Sequence, residues 1–176
     1  MSRAARAVLV CLAGLQPAQA GSESTGTAIA VALPLLAGGY TVYKKDWTGL
    51  AQLSVDTITT VGTAYAIKQF VREQRPDKSD WKSFPSDTSA LAFAPAQFLW
   101  DRYGWEYGVP AYAVAGYVGW TRIDAKKHRW HDVAASAGIA FVASKIFTTR
   151  YREPRLRYGV EPMPGGGVYA SLDYRF

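Results

Sequence analysis

Residues 121–132 read Thr121-Arg122-Ile123-Asp124-Ala125-Lys126-Lys127-His128-Arg129-Trp130-His131-Asp132. They decide the reading of the chain because they form a polar connector between two apolar segments. Upstream, a helix is predicted from about Val109 to Thr121; downstream, another runs from His128 to about Thr149. His128 and Asp132 stand four apart, so one helical turn would set the carboxylate beside the imidazole. A carboxylate on one ring nitrogen fixes the tautomer and leaves the other nitrogen as nucleophile or base. The plain alternative is a surface histidine in an ordinary i, i+4 ion pair. Arg122 just upstream favours a site, since an anion-binding cation then accompanies the imidazole.

Working back along the chain, Ser83-Phe84-Pro85-Ser86-Asp87-Thr88-Ser89 closes a polar loop over 74–85 that Pro76 and Pro85 interrupt. Ser86 or Asp87 then caps a helix to about Trp100, and the free N–H groups of a helix start suit a phosphate. By itself this is a plain capping turn. Before it, Lys68-Gln69-Phe70-Val71-Arg72-Glu73-Gln74-Arg75-Pro76 ends a helix that starts at the N-cap Asp46 and reaches about Glu73. Its apolar positions Leu50, Leu53, Ile58, Val61, Tyr65 and Ile67 recur at mostly helical spacing. Lys68, Arg72 and Arg75 would share one face of that helix, a clustering of like charge that a bound anion relieves. The arginine fork matches phosphate oxygens and lysine adds a point charge. Taken alone, a solvated basic helix end explains the run equally well.

The first apolar segment, 27–40, contains Pro34 and Gly38-Gly39 and predicts a short helix ending near Gly38, after a loose Gly/Ser/Thr-rich stretch at 21–26. Compact helices rich in Ala and Gly together predict an all-α helical bundle. The tail differs. Val168, Ala170, Leu172, Tyr174 and Phe176 alternate with polar or aromatic neighbours, which is strand periodicity. Pro164-Gly165-Gly166-Gly167 would turn it back on 156–162 as a short C-terminal β-hairpin.

The three segments, in this order, resemble the signature of the type 2 phosphatidic acid phosphatases, shared with bacterial acid phosphatases and vanadium haloperoxidases: K-x6-R-P, P-S-G-H, then S-R-x5-H-x3-D. Lys68, Arg75 and Pro76 match the first part. Arg122, His128 and Asp132 match the third, with Thr121 in place of serine. The resemblance implies a compact helical bundle of the acid phosphatase type. It implies His128 as nucleophile, Asp132 as its orienting partner, and Lys68, Arg75, Ser86 and Arg122 as phosphate ligands. It also implies a metal-independent phosphatase that works through a phosphohistidine and needs no cofactor.

The second motif departs from the family. Pro85 and Ser86 are present, but Asp87 replaces glycine and Thr88 replaces the histidine that protonates the leaving group. A threonine hydroxyl is far too weak an acid for that step, and Asp87 brings a carboxylate toward the phosphate position. Two enzymatic expectations follow: a slower or specialised phosphatase acting on a phosphomonoester or pyrophosphate, or Asp87 as substitute acid. The alternative from another class is a non-catalytic phosphate- or phospholipid-binding envelope protein. His131 reads as a poor replacement acid, being on the same turn as His128.

Composition narrows the setting. Of the 176 residues, 49% are hydrophobic and 19% charged, which excludes general disorder, and the net charge of +6 suits anionic partners. Arg3 and Arg6, the apolar run Ala7–Leu15 and the small residues Ala18-Gln19-Ala20 have the layout of an export signal. Cys11 is the single cysteine and falls within it, so the exported chain would hold neither disulfide nor thiol nucleophile. The expected plan is a signal at 1–20, a helical phosphatase domain at 21–150 and a tail at 151–176. The expected place is the periplasm or cell envelope, soluble or peripheral to the membrane, because the apolar runs fall short of the ~20 residues that span a bilayer. The expected partner is a phosphorylated small molecule or lipid phosphate; no nucleic-acid motif appears. Oligomeric state is left open.

Overall fold

Asp46 caps a helix as its position suggests: its Oδ1 accepts from the Gly49 N–H at 2.9 Å. The computed structural model describes residues 22–152 and 156–174, so the export-signal reading of 1–20 lies outside the described residues. Among these residues the elements are helices α1 (Ser22–Tyr43), α2 (Trp47–Phe70), α3 (Asp87–Tyr103), α4 (Trp105–Asp124) and α5 (Trp130–Phe147). Strands β1 (Leu156–Pro162) and β2 (Val168–Tyr174) follow.

Helix α3 is the axis of the bundle and packs against each of the other four helices. Its sequence explains why. Ala90, Ala92, Phe93, Ala94, Pro95, Ala96, Gln97 and Phe98 are all buried, and a helix closed off on every side must sit in the centre. The alanines let neighbouring helices approach, while Ile29, Leu33, Phe93, Val118 and Val133 supply the bulk of the core. One residue, Gly104, joins α3 to α4; its φ of +102° is a conformation L side chains rarely adopt.

The outward faces are apolar too. Leu35 in α1, Ile58 in α2 and Ile146 in α5 are 70%, 71% and 67% exposed. With Val31, Leu36, Val55, Phe141 and Val142 also exposed, the flanks of the bundle offer a broad apolar surface.

Several sequence expectations need correction. The first helix does not end near Gly38, and 22–26 is not loose: α1 runs 22 residues through Pro34 and both glycines. Ile29, Ala30, Leu33 and Ala37 are buried on both sides of the proline, so packing overrides the local break. The segment 23–43 is therefore long and apolar enough to cross a bilayer, by length and composition, although its longest uninterrupted apolar run is shorter. Helix α2 stops at Phe70 rather than Glu73, because Glu73 bridges to Lys82 and its carbonyl accepts from the Ser83 N–H at 3.0 Å. Helix α4 begins at Trp105, ahead of Pro110, and α5 begins only at Trp130. The tail hairpin forms with 156–162 pairing antiparallel to 168–174, from Leu156 opposite Tyr174 to Pro162 opposite Val168. Gly165, Gly166 and Gly167 make the turn at positive φ.

At the end of the bundle near Tyr43, one buried ion pair ties three segments together. Arg102 Nε and Nη2 reach Asp46 Oδ2 and Oδ1 at 2.8 and 2.5 Å. Tyr103 Oη donates to Asp46 Oδ2 at 2.7 Å, and Arg102 Nη1 donates to the Thr149 carbonyl at 2.7 Å. This cluster ties together the start of α2, the end of α3 and the exit from α5.

Candidate active site

The opposite end gathers the close of α2, the 71–86 loop, the starts of α1, α3 and α5, and the close of α4. Its centre is Asp132, in the first turn of α5 and fully buried. Asp132 Oδ2 accepts from the Arg129 N–H at 2.8 Å, which caps the helix, and from Ser83 Oγ at 2.6 Å. His128 Nδ1 lies 3.4 Å from the same oxygen. Burial alone would push the Asp132 carboxyl up. The His128, Ser83 and Arg129 contacts together outweigh it and hold the carboxyl at about 2.

His128 is buried but is not on a helix, contrary to the expectation from the i, i+4 spacing; it precedes α5 in the connector. Its Nδ1 is 2.7 Å from the Ser83 carbonyl oxygen, closer than Asp132. A carbonyl only accepts, so Nδ1 carries a proton and the ring is held with Nε2 facing away. The orienting partners are thus a backbone carbonyl first and a carboxylate second. Ser83 supplies both the carbonyl to His128 and the hydroxyl to Asp132. Nothing in the sequence singles out Ser83 for this role, since a backbone acceptor leaves no trace in side-chain pattern.

The candidate phosphate ligands come to the same end, already engaged. Lys68, buried in the last turn of α2, donates to Asp87 Oδ2 at 2.6 Å. Arg75 has left the helix, as has the exposed Arg72, so the single basic face read from the sequence does not form. Arg75 Nε instead donates to Asp80 Oδ1 at 2.8 Å. Arg122 is buried and turned toward α1, where it donates to Thr27 Oγ1 at 3.3 Å and to the Glu23 carbonyl. Burial pulls its pKa down, Glu23 counters this, and the nearby Arg75 charge lowers it further. Helix α1 comes this close because residue 26 is glycine: a Cβ there would lie 1.9 Å from Thr121 Oγ1.

Ser86 is buried and N-caps α3, its Oγ accepting from the Ser89 N–H at 3.3 Å. The Ser86 carbonyl accepts from Ser136 Oγ at 2.8 Å, which locks this turn to α5. Asp87, the candidate substitute acid, accepts from Lys68 Nζ at 2.6 Å. Thr88 is half-buried beside it. His131 is exposed, with Nε2 2.9 Å from Glu73 Oε1.

A tethered imidazole, an orienting carboxylate and several cations at the end of a helical bundle have the make-up of a phosphoryl-transfer centre. No family model matches the chain. It is, however, 30% identical over 134 residues to the lipid A 4'-phosphatase of Helicobacter pylori, across 70% of this chain and 68% of that one. The crystal structure of Aquifex aeolicus LpxE has the same fold, with a TM-score of 0.54 at 21% identity over 68% of this chain and 83% of that one. The chain belongs to the type 2 phosphatidic acid phosphatase superfamily, as its three motifs imply.

Proposed function

We propose that this chain removes a phosphoryl group from a lipid phosphate by way of a phosphohistidine at His128. The observation that carries the reading is the contact between His128 Nδ1 and the Ser83 carbonyl at 2.7 Å, which leaves Nε2 as the nitrogen with a lone pair to offer. In the first step the Nε2 lone pair forms a bond to phosphorus as the bond from phosphorus to the leaving oxygen breaks. That oxygen keeps the electron pair and takes a proton. Water then attacks the phosphohistidine, the N–P bond returns its electrons to Nε2, and inorganic phosphate leaves.

Lys68, Arg75 and Arg122 balance the charge on the phosphoryl oxygens, and the start of α3 at Ser86 offers N–H groups. Asp132 steadies the imidazole as charge develops on it. With Thr88 at the acid position and Asp87 on Lys68, solvent supplies the proton to the leaving group. Loss of a positioned acid typically costs ~10²–10⁴-fold in rate, so turnover is slow or favours leaving groups that need little protonation. Incoming phosphate must also displace Asp87 from Lys68.

A lipid substrate fits the named activity of the Helicobacter relative, which acts on lipid A. It also fits the exposed apolar flanks of α1, α2 and α5, which would lie against lipid and hold the site at the envelope membrane surface. Residues 21–150 then act as the phosphatase domain, with the hairpin as an appendage.

One observation favours a second reading. Asp87 sits on a cation meant for phosphate, as it would in a chain that kept the pocket and lost the chemistry. Phosphate release from lipid A, phosphatidic acid and a polyprenyl pyrophosphate, compared between the parent and His128→Ala, separates the two. Release by the parent alone supports the phosphatase. Release by neither protein, with phosphate still bound, supports the binding module.

A further inference from the structure

Beside the site, on the loop side of α5, three ligand-type side chains converge. His131 Nε2 is 2.9 Å from Glu73 Oε1 and 3.1 Å from Asp132 Oδ1, and the donor atoms of the three residues lie within 4.8 Å of one another. Glu73 and Asp132 come from segments far apart in the chain, joined here by the 71–86 loop.

Asp132 Oδ1 is the informative atom. Its residue is fully buried and its other oxygen is engaged by Ser83 and Arg129, yet Oδ1 has no hydrogen-bond partner. His131 Nε2 approaches it to 3.1 Å, an ion-pair distance without hydrogen-bond geometry. A buried carboxylate oxygen left this way is unfavourable unless something else meets it.

We infer that Glu73, His131 and Asp132 form a binding site for a divalent transition-metal cation, Zn²⁺ by donor type, adjoining the phosphate site and sharing Asp132 with it. One imidazole and two carboxylates suit zinc, which bonds nitrogen and oxygen at about 2.0–2.2 Å. A tetrahedral ion then needs donors about 3.3–3.5 Å apart, so two of the contacts present here open by only a few tenths of an ångström. Arg129 Nη1 also donates to Glu73 Oε1 and, at 3.0 Å, to the Gln74 carbonyl. The guanidinium therefore competes with the cation and must give up Glu73 while keeping Gln74.

Zinc on Oδ1 would draw charge from the carboxylate that steadies His128 through Oδ2, so occupancy inhibits turnover. That consequence rests on the proposed mechanism; binding itself does not.

The test is calorimetric titration of Zn²⁺ into the metal-stripped full chain in a Cys11→Ser background. One ion should bind per chain and excess Mg²⁺ should not displace it. Affinity should fall by at least ~10-fold in His131→Ala and in Glu73→Gln, rise in Arg129→Gln, and persist in His128→Asn. His131 is exposed, so its replacement leaves the fold intact, which circular dichroism checks. Absence of saturable binding, or binding unchanged by His131→Ala, overturns the proposal whether or not the protein proves to be a phosphatase.

Discussion

Lys68 Nζ and Asp87 Oδ2 lie 2.6 Å apart, joining the last turn of α2 to the first residue of α3. In the family pattern the first is a phosphate ligand and the second is a glycine, so under the proposed function Asp87 holds the place of the phosphate on Lys68. Asp87→Gly or Asp87→Asn should release Lys68 and tighten inhibition by inorganic phosphate by about tenfold, equivalent to ~1.4 kcal/mol. Unchanged inhibition constants would mean that phosphate does not use Lys68.

In the proposed reaction Ser83 acts through Asp132. Ser83→Ala keeps the carbonyl that holds His128 but removes the 2.6 Å hydrogen bond to a buried carboxylate. Folding stability should drop by roughly 1–3 kcal/mol. Steady-state kinetics should show a lower kcat with KM nearly unchanged, as expected when the defect lies in steadying the imidazole and not in holding substrate. A rise in KM at constant kcat would place Ser83 in substrate binding instead.

Acid stability follows from the same cluster. The Asp132 carboxyl is held at about 2, below its ordinary value of 3.8. A depressed carboxyl contributes stability that is complete above the unfolded value and is lost as pH falls through the folded one. The window is therefore about pH 4 down to 2, and the contribution is roughly 2 kcal/mol. Denaturant titrations across that range should show the parent losing this stability, while Asp132→Asn starts lower and changes less. Parallel profiles for the two proteins would contradict the assignment.

At the far end, Asp46→Ala leaves Arg102 buried without its bidentate partner and should cost about 3–5 kcal/mol. Asp46→Asn/Arg102→Leu should recover part of that loss, because no lone buried charge is left. Equal stability of the single and double variants in chemical denaturation would argue that packing, not the unpaired charge, carries the effect.

Much of this architecture is legible in the residues. Asp46 caps α2 through a local contact, and the hairpin register follows from alternation and a triple glycine, so short-range chemistry decides both. The three motifs are legible because their spacing is internal to each segment. What stays hidden depends on distant parts of the chain. Pro34 and Gly38-Gly39 look like breaks until α3 and α4 bury the face on either side of them. The i, i+4 spacing of His128 and Asp132 suggests one helix, but the partner that matters most to His128 is a backbone carbonyl 45 positions upstream. Lys68, Arg72 and Arg75 look like one basic stripe because nothing in their own segment reveals that Glu73 pairs with Lys82 and ends the helix.

The central claim concerns one atom, His128 Nε2. The direct measurement is to mix the chain with a lipid phosphate, quench rapidly into alkali, and locate added mass on the proteolytic peptides. The account predicts one phosphoryl group on the peptide containing His128, present in the parent and absent from His128→Ala. Phosphate released from substrate with no phosphoryl group trapped on that peptide, or with label on His131 instead, would contradict it.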